Sequence, residues 1–449
     1  MSPLPPGPRD SLLGFRLAGR FRRNPLRFLN NLARDYGDLA MFRFGPYRGC
    51  LVNHPQLIRD VLITHRALFP KLARHCRTIR SFSGNSLFVS DGEDWLRQRR
   101  LVQPAFQTRM FDGYAEAATH QTGRVVEAWK DGAEFDLTPA MARLSLVCIG
   151  QALFDCDLTG QEELYLRALQ IHSETLRDEF RAPFLLPDWL PTAAKRRKRW
   201  AVGCLRDLIR RMIGERRTNG DERDDALSTL LSAADKNLND GSLSEAELID
   251  QAMILFVAGQ DDITAALSWC WCLLAQHSEV ESRFHEELET TLAGRPPVYA
   301  DVARLPYTEM IIKEALRLYP PTWSLVPRQA TKEVVLGGYR IPRGTWVFVS
   351  PYATHHDPRF FPDPQRFDPE RFSAERLQAI DQFAYIPFGG GPRICIGNHF
   401  SMTLLTIVLA AIGQRFRIRL CGDPAKLVPD PSLALRPRGE VMVRLHSIA

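Results

Sequence analysis

The sequence predicts a mostly α fold of the α+β class, and three observations lead there. From about residue 93 to 290, apolar residues recur almost throughout at helical spacing, with few β-rich stretches. Strand-like pieces are short and fall near the beginning of the chain or after Pro320. Finally, 449 residues with 45% hydrophobic and 24% charged side chains are ample for a large buried core.

In chain order, a proline-rich start (MSPLPPGPRD) leads to Leu26–Gly37, an amphipathic helix ending on glycine. Two β-like pieces follow, Leu39–Phe44 and Gly49–Val52. Inside the helical region, the charged stretch Arg216–Asp225 (RRTNGDERDD) is expected to be an exposed loop between helices. After Pro320, strand-like segments at Glu333–Leu336 and Thr345–Ser350 alternate with Gly-Gly and Ile-Pro-Arg-Gly turns. A long, proline-rich irregular segment covers Pro351 to Pro392. A last helix, Asn398–Gln414, precedes paired strands near the C-terminus. No internal repeat stands out.

Composition excludes several functions. The formal charge of +6 is modest for this length, the basic residues are scattered, and no nucleic-acid recognition motif accompanies them. A local basic face for an acidic protein partner stays open. Nine cysteines without a CxxC pair fit a reducing compartment. No run of 18 apolar residues and no signal-like start are present, so the expectation is a cytoplasmic protein with no membrane span. Length alone gives a prior of two or three domains.

Three local patterns carry chemistry. Phe388-Gly-Gly-Gly-Pro-Arg-Ile-Cys-Ile-Gly397 directly precedes an apolar helix. The positive end of a helix dipole lowers a cysteine pKa, and glycines permit a tight turn with positive φ. Read without its neighbours, Cys395 would be a buried thiol beside a glycine-rich loop. In Tyr307–Tyr319, Glu314 and Arg317 are three apart and share a helix face. In Leu248–Leu274, apolar residues are interrupted at Gln260, Asp261 and Asp262, and adjacent acids inside an apolar helix are costly unless paired, hydrated or functional.

These residues resemble the cytochrome P450 family. The loop matches F-x-x-G-x-R-x-C-x-G at all five fixed positions: Phe388, Gly391, Arg393, Cys395 and Gly397. Glu314 and Arg317 match the E-x-x-R helix, and Pro369–Phe372 matches P-E-R-F. The resemblance extends over nearly the whole chain and sets the multidomain prior aside for one domain, residues 1–449. It implies the P450 fold, a large helical portion with a smaller β-rich portion and haem b between distal and proximal helices. By the same resemblance Cys395 is the iron ligand, and Trp95, Arg99, Arg328 and Arg393 hold the haem propionates. Glu314, Arg317 and Arg371 form a buried structural triad. Ala258 and Gly259 open the distal helix for dioxygen. Asp261 is the distal acid of a proton relay. The departure is Asp262, which stands where the family has threonine. Thr264, two positions on and about 200° round the helix, does not replace it.

The implied activity is a haem-thiolate monooxygenase that inserts one oxygen atom of O2 into a lipophilic substrate. Its electrons come from a separate ferredoxin- or flavodoxin-type donor with its reductase, docking where Arg97 and Arg100 gather. Phe82 and Phe88, on a loop Ser81–Val89, with Phe256, Thr322, Val326 and Leu435 are expected to line the substrate pocket. Peroxide-driven chemistry, suggested by Asp262, and a non-catalytic haem-binding sensor are the alternatives. Burial and mutual repulsion should raise the pKa of at least one of the paired acids.

Overall fold

A computed structural model describes residues 2–9, 15–182, 184–220, 223–235 and 241–448. The chain divides into two compact units, Met1–Cys76 with Lys313–Cys395, and Arg77–Ile312 with Ile396–Ala449.

The first unit is built on a four-stranded sheet in the order Leu39–Phe44, Tyr47–Val52, Trp346–Val349, Arg328–Gln329. The first two strands form a hairpin, the second and third run parallel, and the last is antiparallel. A separate hairpin pairs Val334–Leu336 with Tyr339–Ile341. Its two turn residues, Gly337 and Gly338, have φ of 55° and 79°, a combination that side chains resist. The proline-rich start adds backbone bonds to this unit, from Met41 N–H to Pro6 O and from Arg340 N–H to Pro3 O, both 2.8 Å. Helix Pro25–Tyr36 starts as its sequence demands. Asn24 accepts the Arg27 N–H, proline occupies the first turn, and Gly37 closes the end. Phe21, Phe28, Phe42, Phe44 and Phe348 then pack ring against ring.

In the second unit the longest helix is Glu245–Leu274, opened by a capping box between Ser244 and Glu247. Every residue from Ile263 to Leu274 is buried, so this helix is core on all sides there. It packs against helix Leu137–Phe154. That neighbour, with mean hydropathy 1.4 over 18 residues, is long and apolar enough to cross a bilayer, yet 72% of it is buried inside the fold, as in a core helix. Two small sheets finish the unit: Glu134–Asp136, Met442–Ser447 and Phe416–Leu420 in one, Pro429–Pro431 with Leu435–Pro437 in the other.

Most expected elements are present, with three corrections. Helix Ala193–Asn219 runs into the stretch expected to be an exposed loop, of which residues 221 and 222 lie outside the described residues. Arg216 is buried, and its guanidinium donates to both Asp225 carboxylate oxygens (3.0 and 2.6 Å), to Ser228 and to the Phe154 carbonyl. Helix Ala73–Ser83 includes Ser81 and Phe82, which were expected in a loop. The segment from Pro351 to Pro392 contains short helical turns at Pro351–His355, Pro369–Phe372 and Ala374–Leu377.

Because both members of the Arg216–Asp225 pair are buried, Asp225→Ala strands a charge. It should lower unfolding free energy by about 3 kcal/mol in urea titration. Removing the exposed Arg217 from its pair with Glu245 should cost under about 1 kcal/mol.

Candidate active site

The cysteine loop lies in the first unit. Gly389 and Gly391 have φ of 74° and 70°. A Cβ on Gly391 would also stand 2.9 Å from the Ile63 side chain and 3.0 Å from the Leu62 carbonyl, so both conformation and space require glycine. The Cys395 N–H bonds to the Phe388 carbonyl at 3.0 Å, closing the loop, and the cysteine itself is exposed. Three residues later, helix Asn398–Gly413 begins after Gly397. Gly397 has an ordinary φ of −95°. A Cβ there would sit in normal contact with Phe106, so strain alone does not explain it. An accessible thiol on a rigid glycine turn fits a haem ligand.

Behind the loop stands the triad. Glu314 and Arg317 have fully buried side chains, and their forks meet at 2.7 and 2.8 Å. Arg371 adds a 3.3 Å contact to Glu314, and the Asp368 N–H donates to it at 3.0 Å. The Arg317 guanidinium also donates to the carbonyls of His355, Pro364 and Arg366. Burial lifts the Glu314 carboxyl above its ordinary pKa, against the pull of Arg317. From this node the order reaches the loop: buried His355 Nε2 accepts the Ile386 N–H at 2.9 Å, two residues before Phe388. The same neighbourhood drives the His355 pKa far down, through burial and then the charge of Arg317.

The second unit supplies the acid pair. Adjacent residues point about 100° apart on a helix, and Asp261 and Asp262 meet different surroundings. Asp261 accepts the Ser173 hydroxyl at 2.8 Å and faces Arg436 at 3.8 Å. The Asp262 carboxyl has no hydrogen-bond partner among the described residues. It lies on the accessible stripe Ile254, Ala258, Asp262, one residue per turn. Half-buried and surrounded by protein, its carboxyl is pushed up to about 7, first by burial and then by the charge of Asp261. Buried Thr264 donates its hydroxyl to the Gln260 carbonyl at 2.7 Å and is occupied there. Ser173 and Arg436 carried no sequence signal as partners of Asp261, being far from it along the chain.

Trp95 and Arg99 are four apart on helix Gly92–Val102 in the second unit, whereas Arg328, on an edge strand, and Arg393 belong to the first. Of the expected pocket residues, Phe82 is fully buried beside His172 and Lys198, while Phe88 is 42% exposed. Phe256 is buried against Phe154. Leu435 is also buried, and its carbonyl takes the Trp269 indole N–H. Thr322 and Val326 are half-buried in the first unit. Sequence reading missed the anchors of the segment after Ser83: Asp250 accepts the Asn85 N–H at 2.7 Å, and Gln251 accepts that of Leu87 at 3.0 Å. Gly84 has φ of 63°, and a Cβ there would run into the Asp250 carboxylate. Arg97 is held by Glu247 and the Ser242 carbonyl, whereas Arg100 is exposed.

A family model described as cytochrome P450 matches residues 5–444. The chain is 38% identical over 412 residues to cyclooctat-9-en-7-ol 5-monooxygenase of Streptomyces melanosporofaciens, covering 91% of this chain and 88% of that protein. Cyclooctatin synthase of the same organism is 38% identical, with 95% and 92% covered. Pentalenene oxygenase of Streptomyces avermitilis is 35% identical, with 90% and 89% covered.

If the triad holds the loop, Glu314→Ala should cost about 3–5 kcal/mol and yield little folded holoprotein. A variant that folds and keeps haem while losing only turnover would show that Glu314 serves chemistry instead.

Proposed function

We propose a substrate class and residue roles for this chain, which belongs to the cytochrome P450 family. It is a haem-thiolate monooxygenase that uses haem b, O2, a lipophilic substrate and a redox partner. The substrate we assign is a cyclised terpenoid hydrocarbon or its mono-alcohol. The observation behind this is that three relatives, each at least 35% identical over at least 90% of this chain, carry names of oxygenases or synthases of such compounds. Apolar side chains such as Phe256 and Leu435 suit a ligand of that kind. The donor is a ferredoxin- or flavodoxin-type protein, with Arg100 among its contacts, and the enzyme works in the cytoplasm.

Cys395 would ligate the iron, with Trp95, Arg99, Arg328 and Arg393 meeting the propionates and Phe388, Gly391, Gly397 and Ala258 shaping the walls. When bound, the haem supplies activation of dioxygen by two electrons. The chain supplies the protons. Asp261, held by Ser173 and Arg436, adds to the burial that raises the pKa of the neighbouring carboxyl. Asp262, its carboxyl pushed up to about 7, then donates its Oδ–H where threonine serves in the family. Thr264 takes no part, its hydroxyl being spent on Gln260.

The substrate class is tested by titrating the resting enzyme with terpenoids, fatty acids and aromatic polyketides and watching the haem absorbance for displacement of iron-bound water. A terpenoid response at the lowest concentrations is expected, and a response confined to fatty acids would replace the assignment.

The donor form of Asp262 is the neutral acid, populated below a pKa of about 7 and lost above it. Product per reducing equivalent should therefore fall as pH rises from about 6 to about 8, and Asp262→Asn should flatten the profile. Asp262→Ala should cut coupling roughly tenfold or more, while Asp262→Thr preserves it. Equal coupling in all three variants would remove Asp262 from proton delivery.

A further inference from the structure

In the first unit, the ring of His355 meets two backbone groups of opposite kind. Nδ1 lies 3.2 Å from the Arg317 carbonyl, and Nε2 lies 2.9 Å from the Ile386 nitrogen. A carbonyl only accepts and an N–H only donates, so the ring carries its proton on Nδ1 and keeps the Nε2 lone pair bare. A cationic ring, protonated on both nitrogens, would set Nε2–H against the Ile386 N–H. Beyond Ile386 the bonds lead to the cysteine. The Gly389 N–H donates to the Ile386 carbonyl at 3.0 Å, and the Cys395 N–H to that of Phe388 at 3.0 Å.

The surroundings of the ring disfavour a second proton. His355 is fully buried, with Tyr385 stacked on its face at 5.3 Å and Phe361 edge-on at 6.2 Å. Arg317 donates to its carbonyl at 2.9 Å, and His356 follows it in the chain. The nearby carboxyls are engaged elsewhere, Glu314 with Arg317 and Arg371, Asp357 with Asn53 and Arg359. Burial first, then the charges of Arg317 and His356, hold the His355 pKa well below the ordinary histidine value. His356 provides a control. It is buried as well, with its pKa lowered to about 4, chiefly by that burial. Its Nδ1 faces the Tyr352 carbonyl at 2.8 Å, and among the described residues its ring bonds nothing in the cysteine loop.

We propose, on the reading of Cys395 as the iron ligand, that His355 is the positioning residue of the thiolate loop, that it acts only as the neutral Nδ1–H ring, and that acid disconnects the loop by protonating it. The direction follows from the two states of the loop. Held, the ring refuses a proton. Released, it is an ordinary histidine that takes one below about pH 6.5. The held state is therefore at full strength above about pH 6.5. Below that it loses ground to the released state by about tenfold per pH unit, until the depressed pKa of the buried ring is reached.

The test uses purified holoprotein between about pH 5 and about pH 8. Deuterium exchange of the Ile386 amide, read by mass spectrometry and corrected for its intrinsic pH dependence, needs no substitution. Its protection should be constant above about pH 6.5 and fall by up to about tenfold per unit below it. Constant protection throughout overturns the proposal. Variants then separate the two ring nitrogens. Glutamine reaches the Nε2 position with an oxygen that accepts and does not titrate, whereas asparagine reaches only the Nδ1 position. H355Q should keep the red-shifted Soret band of the reduced, carbon monoxide-bound protein, with the acid-driven loss of that band reduced by one proton. H355N should lose most of the band even near pH 8 while keeping native far-ultraviolet circular dichroism, and H356Q should follow the native profile. An H355Q profile as steep as the native one, or a native band fraction in H355N, overturns the proposal. If H355N does not fold, the H355Q profile and the Ile386 exchange decide. A native protein without the red-shifted band near pH 8 would sink the assignment of Cys395, and the Ile386 exchange would still decide the role of His355.

Discussion

The buried fork between Glu314 and Arg317 is the contact on which the first unit's order depends. Neither side chain touches water, so each charge survives only because the other is present. Arg317 spends its remaining donors on three carbonyls drawn from between His355 and Arg366, stitching an irregular segment that has few backbone partners of its own. His355, fixed by the same contact, passes the constraint to Ile386, and the glycine turn then presents Cys395. A loop whose regular structure is the short turn Gly391–Arg393 is thereby tied to the buried pair. Its rigidity comes from charge-assisted bonds and from glycines with no room for a side chain.

On the long helix the same economy of residues produces two unlike acids. A rotation of about 100° gives Asp261 a hydroxyl and a guanidinium, and gives Asp262 none of these. Desolvation then acts on Asp262 almost unopposed, and the negative neighbour adds to it. One carboxyl is anchored by its partners and the other is left without them, the division expected wherever paired carboxyls must take different roles.

Local signals were legible in the chain. The helix Pro25–Tyr36 carries asparagine, proline and glycine in the order that starts and stops a helix, and the two β-like pieces that follow pair as a hairpin. The cysteine loop and the Glu314–Arg317 pair were legible because their spacing is short and their residue types are restricted. The resemblance they carry agrees with the family match over residues 5–444. What could not be read depended on partners distant in sequence. Arg216 and Asp225 look like loop charges, because nothing local distinguishes a solvated ion pair from a buried one. Arg436 reaches Asp261 only after the terminal strands have folded back, and Phe82 lies in a helix rather than a loop because helix Ala73–Ser83 continues through it.

The central claim is that this fold presents Cys395 as a thiolate to haem iron, and the absorbance of the reduced, carbon monoxide-bound protein tests it most directly. The red-shifted Soret band of thiolate ligation is expected in the native chain and should vanish in Cys395→His. A histidine-type spectrum in the native protein would contradict the account.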